Sequence, residues 1–251
     1  MLGEILGQDS VDVMVVRDGQ QYAGSDPTTV GAVKTLSSKG YTILVRHVKK
    51  HNEELEALAT AFKDDFHAPV NIHIYATPAG KHGFSWHYDA EEVFIMQTSG
   101  QKEYSLRKNT VNPWPLIETI PNNMGYEREV MPLMRVLLSA GDWLYIPCGY
   151  WHKAEAHKSD ETAISLALGV MSPSAIDIYN YLRARLLDSL LWRQRLPVND
   201  ATSTLSYDEL VSHYRELFDQ LADDLAKTLR DERFVCDFLA RGESNHEPTT
   251  V

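Results

Sequence analysis

Residues 71–106, NIHIYATPAGKHGFSWHYDAEEVFIMQTSGQKEYSL, carry the pattern that decides the fold. NIHIYA, EVFIMQ and EYSLR are short runs rich in β-branched and aromatic residues, and Pro78-Ala79-Gly80 and Ser99-Gly100 punctuate them. The texture continues downstream. RVLLS, DWLYIP, HKAEA and TAISLALGV follow within residues 135–170, broken at Ala140-Gly141-Asp142 and Pro147-Cys148-Gly149. Many short strands with such turns predict a β-sandwich or a barrel.

Within this region His87-Tyr88-Asp89 places two metal-binding side chains two residues apart. On a strand, residues two apart point to the same side, so His87 and Asp89 can reach one ion. His152, after the turn Pro147-Cys148-Gly149, is the expected third ligand. Two histidines and one carboxylate form the facial triad of non-haem iron(II) oxygenases, which leaves coordination positions open. The His-x-Asp pair alone is a weak signal. His47, His51, His67, His157, His213 and His246 lack comparable surroundings and read as surface or hydrogen-bonded histidines.

Two separated blocks, TPAGKHGFSWHYDAEEVFIMQTSGQKEYSL (residues 77–106) and LLSAGDWLYIPCGYWHKAEA (residues 137–156), resemble the JmjC hydroxylases of the ribosomal-oxygenase (cupin-4) group. Thr77-Pro78, Gly83, His87, Asp89, Val93-Phe94, Gln97, Gly100 and Lys102 stand in the register of that group. The second block departs at Ala140, where the group usually has Pro. Trp86 also departs, where Pro is frequent, which predicts a different substrate mouth. The resemblance implies a mainly β fold with α, in which a double-stranded β-helix (jelly-roll or cupin) core carries N-terminal α/β decoration and C-terminal helices. It implies Fe(II) on His87, Asp89 and His152, with 2-oxoglutarate as co-substrate and dioxygen as oxidant. Lys102 then matches the lysine that binds the distal carboxylate, and Tyr75 a tyrosine whose hydroxyl helps hold it. His73 lies where the group often has Asn near the co-substrate, and Ser165 is expected to face the pocket from the last core strand. A dianion in a largely apolar barrel needs a cationic anchor, which suits Lys102. Without the resemblance, Lys102 reads as a solvated hairpin lysine.

The implied activity is hydroxylation of an amino-acid side chain in a protein or peptide, and hydroxylating an N-methyl group would give demethylation. The alternatives are a hydroxylase of a free amino acid or small natural product, a cupin metalloprotein independent of 2-oxoglutarate, or a non-catalytic interaction module. Asp89 and Lys102 argue against the second, since such sites typically use more histidines and a Glu. The presence of all three ligands argues against the last.

The 251 residues are 43% hydrophobic, enough for a packed core, and the formal net charge is -11. No Lys/Arg stripe is present to replace counterions on phosphate, so direct nucleic-acid binding is not expected. Two cysteines, Cys148 and Cys236, form no disulfide framework and fit a reducing compartment. No apolar run approaches the ~20 residues of a membrane span, so a cytoplasmic protein is expected. The organisation predicted is an oxygenase domain over 1–171, a helical region over 172–242 and a flexible tail over 243–251. Strands are expected near 11–16 and 41–48, and helices over 29–39 and 52–63, the latter capped by Asn52. The periodicity then predicts one helix over 174–195 and a second from the capping box Ser206-Tyr-Asp-Glu209. The apolar stripe of these helices predicts either docking on the β-domain or a homodimer interface. Core packing is expected for Tyr88 and Trp151. The Pro/Asn-rich segment 108–134 reads as a lid or an irregular surface excursion.

Overall fold

The computed structural model describes residues 2–8, 10–27, 29–121, 133–158, 161–197 and 205–244. They divide into two compact units between Ser172 and Pro173. The first unit contains, in order, α1 (Leu2–Ile5), β1 (Asp12–Arg17), β2 (Gln20–Gln21), α2 (Val30–Ser38), β3 (Thr42–Arg46), α3 (Glu53–Phe66) and β4 (Val70–Thr77). Six strands follow: β5 (Glu92–Ser99), β6 (Lys102–Arg107), β7 (Met134–Leu138), β8 (Trp143–Ile146), β9 (Trp151–Ala156) and β10 (Ala163–Val170).

These strands form two antiparallel sheets, one ordered β2-β1-β3-β4-β10-β5-β8 and one ordered β7-β6-β9. An isolated bridge pairs His87 with His152 on β9 and extends the smaller sheet by one position. Four positions of the large sheet, β4-β10-β5-β8, thus oppose four of the small one. This is the double-stranded β-helix, with β1–β3 and the helices as N-terminal decoration.

Alternation along β4 explains the layering. Ile72, Ile74 and Ala76 are buried with Val15, Val45, Leu168 and the α2 and α3 residues Val33, Leu36, Leu55 and Ala59. Successive strand residues face opposite sides, so Asn71, His73, Tyr75 and Thr77 turn inward between the sheets. The inner core consists of Val93, Ile95, Tyr104, Leu106, Leu138, Ile146 and Ala167. The helix ends follow their caps: Thr29 Oγ1 accepts from the Ala32 N–H, and Asn52 Oδ1 from the Leu55 N–H at 3.0 Å. Tyr88 and Trp151 are both 6% exposed and meet edge to face at 4.7 Å. Much of the 108–134 segment, residues 122–132, lies outside the described residues, as does the tail beyond 244.

The second unit holds α4 (Ala175–Leu186), α5 (Leu190–Arg193), α6 (Tyr207–Arg230) and α7 (Glu232–Ser244). The single helix expected over 174–195 is broken. The N–H groups of Asp188 and Ser189 turn to carbonyls three residues back, and Ser189 begins α5. Asp and Ser favour such local breaks because their side chains compete for backbone groups. The capping box at Ser206 and Glu209 forms as expected. Among the described residues, Leu182, Leu217 and Phe234 are the buried apolar ones of this unit.

Leu168, fully buried at the centre of the first core, offers a measure of its packing. Leu168→Ala is expected to destabilise the barrel by about 3 kcal/mol through lost burial and the cavity left behind. Equilibrium urea unfolding followed by tryptophan fluorescence measures the loss.

Candidate metal and co-substrate site

The bridge between His87 and His152 is made by two backbone hydrogen bonds. The His87 N–H donates to the His152 carbonyl at 3.1 Å, and the His152 N–H to the His87 carbonyl at 2.7 Å. This pairing brings segments far apart in sequence side by side, with ring centroids 4.1 Å apart. One ligand atom from each of His87, Asp89 and His152 lies within 4.8 Å of the others. His152 Nε2 stands 3.4 Å from Asp89 Oδ2. With metal–ligand bonds of about 2.1 Å at right angles, neighbouring donors stand ~3 Å apart, so small side-chain adjustments complete the set.

The tautomers are fixed by neighbours. His87 Nδ1 lies 2.8 Å from the Ser85 carbonyl, and His152 Nδ1 lies 3.0 Å from the Tyr150 carbonyl. A carbonyl only accepts, so each Nδ1 carries the proton and each Nε2 keeps its lone pair for an ion. Burial, and then the neighbouring His87, push the His152 imidazole down to about 4. Neutral rings are what a metal requires.

Beside the triad is a cavity lined by Thr42, Tyr75, Thr77, Lys102, Tyr104 and Ala167, among others. Lys102 begins β6 and is 4% exposed. It is therefore no solvated hairpin lysine. Its Nζ donates to Ser165 Oγ at 3.3 Å and lies 5.4 Å from the centre of the Tyr75 ring. Burial lowers the ammonium to about 7, and among the described residues no carboxylate pairs with it. Burial also raises the Tyr75 and Tyr104 hydroxyls, which stay protonated as hydrogen-bond donors. Of the residues expected near the co-substrate, Tyr75 and Lys102 line the cavity, and Ser165 is buried behind Lys102. His73 shares the inward face of β4 but is not among the lining residues. Its Nδ1 accepts from the His47 N–H at 3.3 Å.

Residues 44–178, just over half of the chain, match the JmjC domain family model. The chain belongs to the JmjC domain family. A bifunctional lysine-specific demethylase and histidyl-hydroxylase NO66 from Drosophila sechellia is 29% identical over 199 residues, which cover 76% of this chain and 29% of that protein. The NO66 protein of Dictyostelium discoideum is 35% identical over 120 residues, covering 46% of this chain and 23% of its own length. This JmjC chain thus spans less than a third of these relatives. The Escherichia coli ribosomal oxygenase YcfD, solved with cobalt and 2-oxoglutarate, superposes with a TM-score of 0.62 at 20% identity. The match covers 98% of this chain and 63% of that one. At this identity the likeness establishes the fold.

The JmjC cavity also uses residues that the sequence reading passed over. Tyr104 follows Lys102 by two residues on β6, so the strand period already placed it on the same face. Thr77 bears the same relation to Tyr75. Thr42 comes from β3 and carries no local signal. It packs where Gly83 passes so closely that a Cβ there would meet Thr42 Cβ at 2.9 Å.

Removing one donor of the triad tests the geometry directly. His152→Ala is expected to weaken cobalt(II) binding at least about a hundredfold, since even outer-shell changes weaken such sites by 10–100-fold. A visible-absorption titration reads the change.

Proposed function

We propose that this chain is an iron(II)- and 2-oxoglutarate-dependent oxygenase that hydroxylates an amino-acid side chain in a protein or peptide. The observation that carries the proposal is the pairing, in one cavity, of an open-sided His-Asp-His set with a buried lysine that has no carboxylate partner among the described residues. His87, Asp89 and His152 would hold the ferrous ion, and Lys102 would anchor the distal carboxylate of 2-oxoglutarate. Tyr75 and Tyr104 line the same cavity as protonated donors. Iron loaded with 2-oxoglutarate supplies oxygen activation coupled to decarboxylation, which the side chains alone cannot perform.

The protein's own share is placement and exclusion of water. The inner core walls the cavity with Val93, Ile95, Ile146 and Ala167. An apolar wall makes the lone ammonium costly until an anion arrives. The relatives' names support a polypeptide substrate, and the chemistry of the donor set supports the class of reaction. The apolar side chains exposed on the helical unit, among them Ile176, Tyr179, Phe218 and Leu239, support self-association there. Two free cysteines support a cytoplasmic setting, and among the described residues no helix is long and apolar enough to cross a membrane.

Three measurements test this reading. With iron(II), the wild type is expected to convert 2-oxoglutarate to succinate, whereas His87→Ala abolishes conversion and Lys102→Ala weakens 2-oxoglutarate binding at least about tenfold, the scale of a lost charge-assisted contact. Iron binding without 2-oxoglutarate binding would instead favour a cupin metalloprotein of another class. A bound dianion should return Lys102 to its charged form. Binding at pH 8 should therefore take up about 0.9 proton per site if the free amine titrates near 7, and affinity should fall as pH rises above 7. Calorimetry in buffers of different ionisation enthalpy detects the uptake, and Lys102→Met should remove it. Finally, light scattering on the eluting protein should give twice the chain mass, reverting to one chain in Phe218→Glu.

A further inference from the structure

The tip of the β1–β2 hairpin is the pair Asp18-Gly19. Arg17 faces Gln20 and Val16 faces Gln21, so only two residues make the turn. Both have positive φ, +54° and +79°, the backbone that a two-residue hairpin of this twist demands and that Asp-Gly supplies. The N–H groups of such a pair point away from the hairpin. Here both are taken up by consecutive carbonyls of the loop that leads to the metal ligands. The Asp18 N–H donates to the His82 carbonyl at 3.3 Å, and the Gly19 N–H to the Gly83 carbonyl at 2.7 Å. The root of the hairpin is anchored as well: Arg17 Nη1 donates to the Lys39 carbonyl at 3.2 Å, and the guanidinium lies 4.4 Å from the centre of the Tyr41 ring.

The contact is tightest at the residue that orients His87. A Cβ at Gly19 would lie 2.3 Å from Ser85 Oγ, 3.0 Å from Ser85 Cβ and 3.4 Å from Ser85 N. Ser85 is also the residue whose carbonyl stands 2.8 Å from His87 Nδ1. Residues 82–85 belong to no strand. Their backbone is set by what they lean on, the hairpin tip on one side and, at Gly83, Thr42 on the other.

We propose that the β1–β2 hairpin is a clip that positions the metal ligand His87 through Ser85, and that Gly19, remote in sequence from the triad, sets the metal affinity of the site. The acceptor that orients a ligating imidazole governs affinity almost as strongly as the ligand itself, and the Ser85 carbonyl is that acceptor for His87. A side chain at position 19 would push Ser85 aside and tilt the bond from His87 Nδ1–H. Nε2 would then turn off the direction it shares with Asp89 and His152. Gly19 is a positioning residue, touching neither ion nor substrate. The inference rests on the metal-binding half of the oxygenase reading above and makes the N-terminal decoration part of the site.

The test titrates the full chain with cobalt(II). Gly19→Asn is the informative variant, because Asn tolerates positive φ yet carries the Cβ that Ser85 would meet. Asp18→Asn adds no atom to the turn, and Leu168→Ala lowers stability far from the loop. Gly19→Asn is expected to weaken cobalt(II) binding about tenfold, the scale of a disturbed outer-shell bond, and Gly19→Ala at least as much. Asp18→Asn and Leu168→Ala should bind as the wild type does. In NMR spectra of the cobalt-loaded protein, the paramagnetically shifted Nδ1–H signals of the two ligating histidines report the two carbonyl bonds separately. Gly19→Asn should speed solvent exchange of the His87 signal and leave the His152 signal unchanged, which a general loss of stability would not do. Wild-type affinity in Gly19→Asn, an equal loss in Leu168→Ala, or both signals disturbed alike overturns the proposal. So does a Gly19→Asn chain that fails to fold, since the hairpin would then be a folding element. A wild type that binds no cobalt(II) overturns the metal reading and this inference together.

Discussion

Two backbone hydrogen bonds between His87 and His152 hold the site in place. They join a segment too short to be a strand to the edge of the smaller sheet, and they fix which side chains share a face. Once this register is set, Asp89 follows from the two-residue period, and Lys102 approaches because β6 is the neighbour of β9 on its other side. A slip of one residue would turn all of these side chains away from each other. The site is thus a product of sheet register more than of any single strong contact.

The rest of the barrel protects that register. The turn before β9 is tied to the triad, since the Gly149 N–H donates to the Asp89 carbonyl at 2.9 Å. Gly149 has φ of +78° and lies against Pro113, whose carbonyl oxygen would meet a Cβ at 2.6 Å. Glycine alone suits both the left-handed backbone and the close approach. Outside the barrel, α2 and α3 cover the far side of the large sheet, so β4 and β10 are buried on both faces. This is why TAISLALGV reads as a nearly continuous apolar run, with every residue of β10 except Ile164 buried.

What could be read from the chain depended on how local the signal was. His87 and Asp89 stand two residues apart, so the strand period made their pairing legible, whereas Lys102 joined them only through the family resemblance. His152 needed the turn before it as a landmark. The burial of Lys102 was not legible from its hairpin setting, because it depends on β10 and β4 closing behind it. Thr42 was missed for a related reason: it reaches the cavity from β3, beside Thr77 on the neighbouring strand. The break at Asp188-Ser189 was visible only as two weak helix formers, which the leucine periodicity on either side outweighed.

The Nδ1–H bonds to the Ser85 and Tyr150 carbonyls have a consequence for the choice of ion. Each imidazole is oriented by its own strand before anything binds, so little reorganisation separates the empty cage from the filled one. A set of three donors, open on one side, imposes little further geometry on first-row divalent cations, whose intrinsic ranking puts iron below cobalt, nickel and copper. Which of these ions fills the site is then decided by supply and by the purity of the preparation, and trace zinc or nickel would compete with any ion added in a binding experiment.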